Sequence, residues 1–110
     1  MFHMLSCFTL KDGVQIDEFK EALDAFTEHM RDQTLIASIG PIGRRRRDTP
    51  MDTDDARDHA LFFVTHFDDR SQCDSAYSYI LAADQQVAKI HYAVMGKVKS
   101  DAVFICWEDA

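Results

Sequence analysis

Apolar residues along the chain fall into alternating and helical runs separated by short polar turns. Residues 2–10 read Phe-His-Met-Leu-Ser-Cys-Phe-Thr-Leu and predict a first strand. Phe2, Met4, Phe8 and Leu10 point one way along it, and Leu5 and Cys7 the other. Lys11-Asp12-Gly13 then turns the chain. With Asp17 as N-cap and Glu18 in the first turn, Phe19, Ala22, Leu23, Phe26 and Met30 recur at i, i+3, i+4, i+7 and i+11. That spacing predicts an amphipathic helix with Glu21, Asp24 and Glu28 largely outside its apolar stripe.

A second strand is expected over residues 34–39, ending at Gly40-Pro41 or continuing through Ile42. Residues 43–58 carry four arginines, Arg44 to Arg47, then Asp48, Asp52, Asp54, Asp55 and Asp58 around Pro50. They have no periodicity and predict a long, mobile loop. Residues 59–67 form the third strand, and the apolar run Ala60 to Val64 implies burial on both faces. After Asp68-Asp69, with Ser71 as cap, Cys73, Ala76, Tyr77, Ile80 and Leu81 predict a helix from Gln72 to about Ala83. A further helix is expected from Asp84, with Val87, Ile90, His91 and Val94 on one side and Gly96 closing it. Residues 102–108 alternate as a last strand: Val103, Ile105 and Trp107 on one face, Ala102, Phe104 and Cys106 on the other.

The order β-α-β-β-α-β in one domain over residues 1–110 is that of a ferredoxin-like α+β fold with a four-stranded antiparallel sheet. Its helices cover one sheet face only, yet the first, third and last strands are apolar on both. The simplest cover for the second face is another copy of the same sheet, so the pattern predicts a homodimer through the sheet face.

Composition narrows the functional classes. Hydrophobic residues make up 46% of 110 residues, with eight Phe, four Gly and two Pro, which excludes intrinsic disorder. The formal charge is −7, from 19 acidic and 12 basic residues, and this disfavours nucleic-acid binding. The five Asp that follow the arginine run nearly neutralise it. Cys7, Cys73 and Cys106 are odd in number and widely spaced, which predicts free thiols in a reducing, cytoplasmic setting. Residues 1–10 lack the positive region of a signal peptide, and no apolar run approaches the roughly 20 residues that span a bilayer.

The opening strand His3-Met4-Leu5-Ser6-Cys7-Phe8-Thr9-Leu10 with Lys11-Asp12-Gly13-Val14, the acidic helix Asp17 to Met30, and the strand and acidic turn Ala60 to Asp69 resemble the dimeric α+β-barrel superfamily. Within it they look most like the stress-responsive A/B-barrel proteins. The resemblance implies a paired, barrel-forming sheet. The wider superfamily includes cofactor-free monooxygenases, haem-degrading and isomerising enzymes and proteins without known activity, so fold does not settle function. Two family features are missing. Asp84-Gln85-Gln86-Val87 stands where a His-Pro-x-His-like motif would fall, and the chain contains no Asn. Cofactor-free oxygenases of this fold commonly place Asn with Trp and His around a polyaromatic substrate, so the missing amide weighs against that mechanism here.

Candidate chemistry therefore rests on histidines and aromatics. His3 and His66 lie on strands that neighbour each other in this fold and are expected to converge, able to move a proton or hold a metal. No carboxylate stands at ligand-like spacing from either, so no metal is expected. His29 reads as a solvated helix-end group, His59 as a flank of the loop, and His91 as a polar group lining a pocket between helix and sheet. Cys7 and Cys106 are expected to be buried and inert. Trp107, the only Trp, reads as a core or interface residue. The ligand-pocket candidates are His3, His66, Tyr77, His91, Trp107 and Arg44, the last as a partner for a carboxylate at the barrel mouth. The expected function is a homodimeric small-molecule-binding protein with an apolar pocket for a hydrophobic acid, fatty or aromatic, without a cofactor. The alternatives are a cofactor-independent monooxygenase or isomerase using His3, His66 or His91 as acid–base group, and a stress-associated structural dimer without ligand.

Overall fold

The computed structural model describes residues 1–82 and 85–110. Its elements run β1 (Phe2–Phe8), α1 (Ile16–Asp32), β2 (Ser38–Ile39), β3 (Gly43–Arg44), β4 (Leu61–Phe67), α2 (Arg70–Leu81), α3 (Gln85–Met95) and β5 (Val103–Glu108). The expected helix start at Asp84, and the expected end of the preceding helix at Ala83, lie outside the described residues.

All strand pairings are antiparallel, in the order β2-β4-β1-β5, with β3 also on β4. This is the ferredoxin-like α+β fold. The expected second strand is divided in two. Ile39 pairs with Thr65 and Gly43 with Phe62, so Gly40, Pro41 and Ile42 stand opposite only Val64 and Phe63. The extra residue is a bulge, and Pro41 fits it because proline has no N–H for the ladder. The stretch before Ser38 is not strand, because Thr34 takes a φ of 57°, a left-handed turn off the end of α1.

The helix caps differ from those expected. Ile16 already lies in α1, so Asp17 falls within the first turn, where its charge favours the helix without capping it. Asp69 rather than Ser71 caps α2, accepting from the Gln72 N–H at 2.8 Å.

Even-numbered β1 residues face the helices. Phe8 packs on Phe19 at 4.9 Å between ring centres, in a cluster with Leu23, Leu61, Val94 and Val98. A second cluster joins Met30, Ile36, Phe67 and Ala76 under Phe2 and Met4. His29 is not simply solvated: its Nε2 lies 2.9 Å from the Tyr79 hydroxyl and links α1 to α2.

The register places His3, Leu5 and Cys7 of β1, Phe62, Val64 and His66 of β4, and Val103, Ile105 and Trp107 of β5 on the opposite face. Ile105 and Trp107 are 38% and 42% exposed there. At the Cys7 end the loop after β3 covers this face. The Arg45 side chain, 7% exposed, grips Asp52 with two hydrogen bonds of 2.8 and 2.9 Å and donates to the Asp54 and Arg57 carbonyls. Arg57 in turn pairs with Asp54 at 2.7 Å. The segment expected to be mobile is thus held around one buried guanidinium. Cys7 beneath it is 1% exposed, and burial pushes its thiol above the usual range, with Arg57, Asp54 and Arg45 as its charged neighbours. Cys106 is exposed, because β5 is the outermost strand and neither of its faces is fully covered.

Candidate functional site

The uncovered end of the sheet face holds a chain of polar groups. β1 and β4 pair His3 directly with His66, and β1 and β5 pair His3 with Trp107. All three side chains fall on one face because a strand repeats every two residues. The His3 and His66 Nδ1 atoms are 2.8 Å apart, with the rings edge to face. On its other side His3 Nε2 lies 2.7 Å from an Asp109 carboxylate oxygen. Trp107 stacks on the His3 ring at 5.1 Å between centres. The Asp109 N–H donates to the Met1 carbonyl at 3.0 Å, extending the β1–β5 ladder one step beyond β5. That step carries the alternation Val103, Ile105, Trp107 on to Asp109.

With both imidazoles neutral, one arrangement of protons satisfies these hydrogen bonds. The Met1 amine at 2.9 Å, and His3 after it, hold the Asp109 carboxyl below the ordinary carboxylate range, so at neutral pH its oxygens only accept. Neutral His3 therefore donates from Nε2 to Asp109 and accepts at Nδ1. His66 must then donate from Nδ1, which leaves its Nε2 as a bare lone pair. A proton taken at His66 Nε2 can be matched by transfer of the Nδ1 proton to His3. His66 becomes neutral again, and the imidazolium on His3 stands against the Asp109 carboxylate and the Trp107 face. A second proton has no place, because two N–H groups would then face each other across 2.8 Å.

Of the six sequence-derived candidates, His3, His66 and Trp107 come together. Tyr77 is exposed on α2. Arg44 is exposed on β3, in register with Leu61, which faces the helices. His91 lies on α3 with its ring 5.8 Å from Phe26 of α1, on the helix side, where burial lowers its pKa. Of the expected apolar pocket between helix and sheet, the cavity lined by Ser6, Phe8, Phe19, Phe63 and Phe104 among others measures only about 20 Å³, whereas an open cleft of about 300 Å³ lies between α1 and residues 39–42, with Lys20, Asp24 and Thr27 on its rim. The smaller has room for about one water. No carboxylate stands at ligand-like sequence spacing from the histidines, and the one that reaches His3, Asp109, is distant in sequence and comes to it by sheet pairing. The signal was in the alternation, which continues past Trp107. Among the described residues no group of three His, Cys, Asp or Glu is arranged to hold a metal ion. No described helix is long and apolar enough to cross a membrane.

Comparison with known proteins places the chain in a family. A family model described as a family of unknown function, DUF6614, matches residues 1–106. The chain belongs to the DUF6614 family. No curated protein matches it. Among solved structures, it is similar to the Arabidopsis thaliana protein At3g17210, with a TM-score of 0.72 and 10% identity over 100% of this chain and 96% of that one. A dimeric ferredoxin-like protein of unknown function from Jannaschia sp. CCS1 follows at 0.66 and 12%, covering 98% of each chain. SnoaB, a cofactor-independent oxygenase from Streptomyces nogalater, matches at 0.65 and 11%, over 98% of this chain and 91% of that one. At these identities the likeness concerns the fold. The DUF6614 chain shares the architecture of proteins described as dimeric and ferredoxin-like.

Proposed function

We propose that two copies of this chain pair through the open sheet face and enclose a small apolar molecule on which His66 acts as acid or base without a cofactor. The observation that carries this reading is the Asp109–His3–His66 chain, which ends in a bare His66 Nε2 on a face otherwise made of Leu5, Val64, Ile105 and Trp107. A desolvating second copy would strengthen the chain's electrostatics by excluding water. The exposed indole and Ile105 support pairing, as do the relatives described as dimeric. Lys11-Asp12-Gly13-Val14 after the opening strand supports a further likeness to stress-responsive A/B-barrel proteins. Three cysteines without disulfide partners support a reducing, cytoplasmic setting.

The ligand class is a hydrophobic acid, aromatic in preference to long-chain. The cavity among Phe8, Phe19 and Phe63 has no room for an acyl chain, whereas the open face offers exposed Ile105 and Trp107 beside the histidines. As the only Trp, Trp107 reports binding directly. Titration with aromatic hydroxy acids and with medium-chain fatty acids is expected to change its fluorescence for the aromatic series. In His66→Ala the affinity should fall about tenfold, the worth of a charge-assisted hydrogen bond. Equal binding by the variant, or no response to either series, would overturn the assignment.

A further inference from the structure

We infer that Gly40 is the residue that admits a reactant to His66, so that the site takes a molecule presenting an ionisable O–H or N–H from the bulged β2–β3 edge of the sheet. This rests on the reading of His66 as the acid–base group and adds the direction of approach. Gly40 precedes the bulge, and its N–H donates to the Val64 carbonyl at 2.8 Å. Two residues back along β2, Ser38 pairs with His66, and the Ala37 N–H donates to the His66 carbonyl at 2.9 Å. The backbone at residues 37–40 is therefore held against β4 on either side of the Ser38–His66 pair.

Glycine is not required at this position by the backbone, which does not enter the left-handed region. Nor do close neighbours require it. A β-carbon on Gly40 would lie 3.7 Å from the Val64 carbonyl oxygen and 4.0 Å from His66 Nε2, both ordinary contacts. What the missing side chain leaves open is the space in front of Nε2, the one nitrogen of the His3–His66 pair without a hydrogen-bond partner in the chain just described. Alanine would only touch the edge of that space, whereas a branched or longer side chain would fill it. Bulges beside functional groups re-aim an edge strand, and this one interrupts the pairing with β4 between Ile39 and Gly43, just beyond the strand position that faces the base.

Diethyl pyrocarbonate, which acylates an unprotonated imidazole nitrogen, tests the approach without knowledge of the substrate. Peptide mapping of the intact protein gives the rate at His66, with His29 on the helix side as an internal reference. Wild type and Gly40→Ala are expected to react at His66 at similar rates. Gly40→Leu should react at least about tenfold more slowly, because a reactant held an ångström or more out of reach loses rate by orders of magnitude. The His29 rate should stay constant in all three. Gly40→Leu reacting at the wild-type rate would overturn the role of Gly40 while leaving His66 as the base. A wild-type His66 that resists the reagent would overturn the free-base reading and this inference with it.

Discussion

Phe19 and Asp109 show how differently single residues reveal their roles. Phe19 is 1% exposed and its ring packs tilted against Phe8, so two aromatic rings meet where α1 contacts the sheet. Its place in an i, i+3, i+4, i+7 stripe makes this legible from sequence. Phe19→Ala is expected to destabilise by about 3–5 kcal/mol, from lost transfer energy plus the cavity left behind. Urea denaturation measures it, and a loss below about 1 kcal/mol would show that the core collapses around the gap. Asp109 was not legible as a site residue. Its link to His3 spans the length of the chain and exists only because β1 lies between β4 and β5. Periodicity assigns a residue to a face but not to a neighbour across strands. His3 and His66 were anticipated together because the expected strand order already made them neighbours.

At the scale of elements, the segment between β3 and β4 departs furthest from its sequence. Charge counting anticipated that its arginines and aspartates would neutralise one another, and Arg45–Asp52, Arg46–Asp48 and Arg57–Asp54 do so. Counting did not show that one of four identical arginines would turn inward and organise the rest. That choice follows from β3: Gly43 faces the open side, Arg44 the helix side and Arg45 the open side again. Arg45→Ala should therefore loosen the segment and uncover Cys7. Thiol labelling at Cys7 is expected to rise at least about tenfold, as for a group passing from buried to exposed. Labelling of Cys106, already exposed, should not change. A Cys7 rate unaffected by Arg45→Ala would mean that other residues cover it.

The same segment has a defined pH dependence. Hydrogen bonds from Arg45 to Asp52, and from Arg57 to Asp54, hold both carboxyls below the ordinary carboxylate range. For acids lowered in the folded state, the stabilisation is complete above the unfolded value and is lost as pH falls through the folded one. Cys7 protection is therefore expected to persist through mildly acid pH and to fail only below the normal carboxylate range. Mass-spectrometric labelling after acid pulses would read this. Protection lost already near pH 6 would contradict the Arg–Asp assignment. The split of the second strand was half legible, since Gly40-Pro41 marked a break, but the resumption of pairing at Gly43 depends on β4 as partner.

For the whole molecule, the fold was readable from the order of the elements, and the unpaired sheet face from apolar residues on both faces of the strands now labelled β1, β4 and β5. The interior could not be read the same way. The sequence has enough Phe to line a pocket, and only packing shows that Phe8, Phe19 and Phe63 fill it instead. If the open face pairs two copies, sedimentation at micromolar concentration should give about twice the 12.6 kDa chain mass. Ile105→Asp, which places a charge on the exposed outer strand of that face, should give the single-chain mass with the fold intact. A wild-type chain that sediments as a monomer would contradict pairing.

The proton chain on that face is the centre of the account, and long-range proton–nitrogen NMR of the histidine rings reads it directly. At neutral pH His3 is expected to be protonated at Nε2 and His66 at Nδ1 with a bare Nε2, and Asp109→Ala is expected to lose the Nε2 preference of His3. His66 found with its proton on Nε2 would contradict this arrangement.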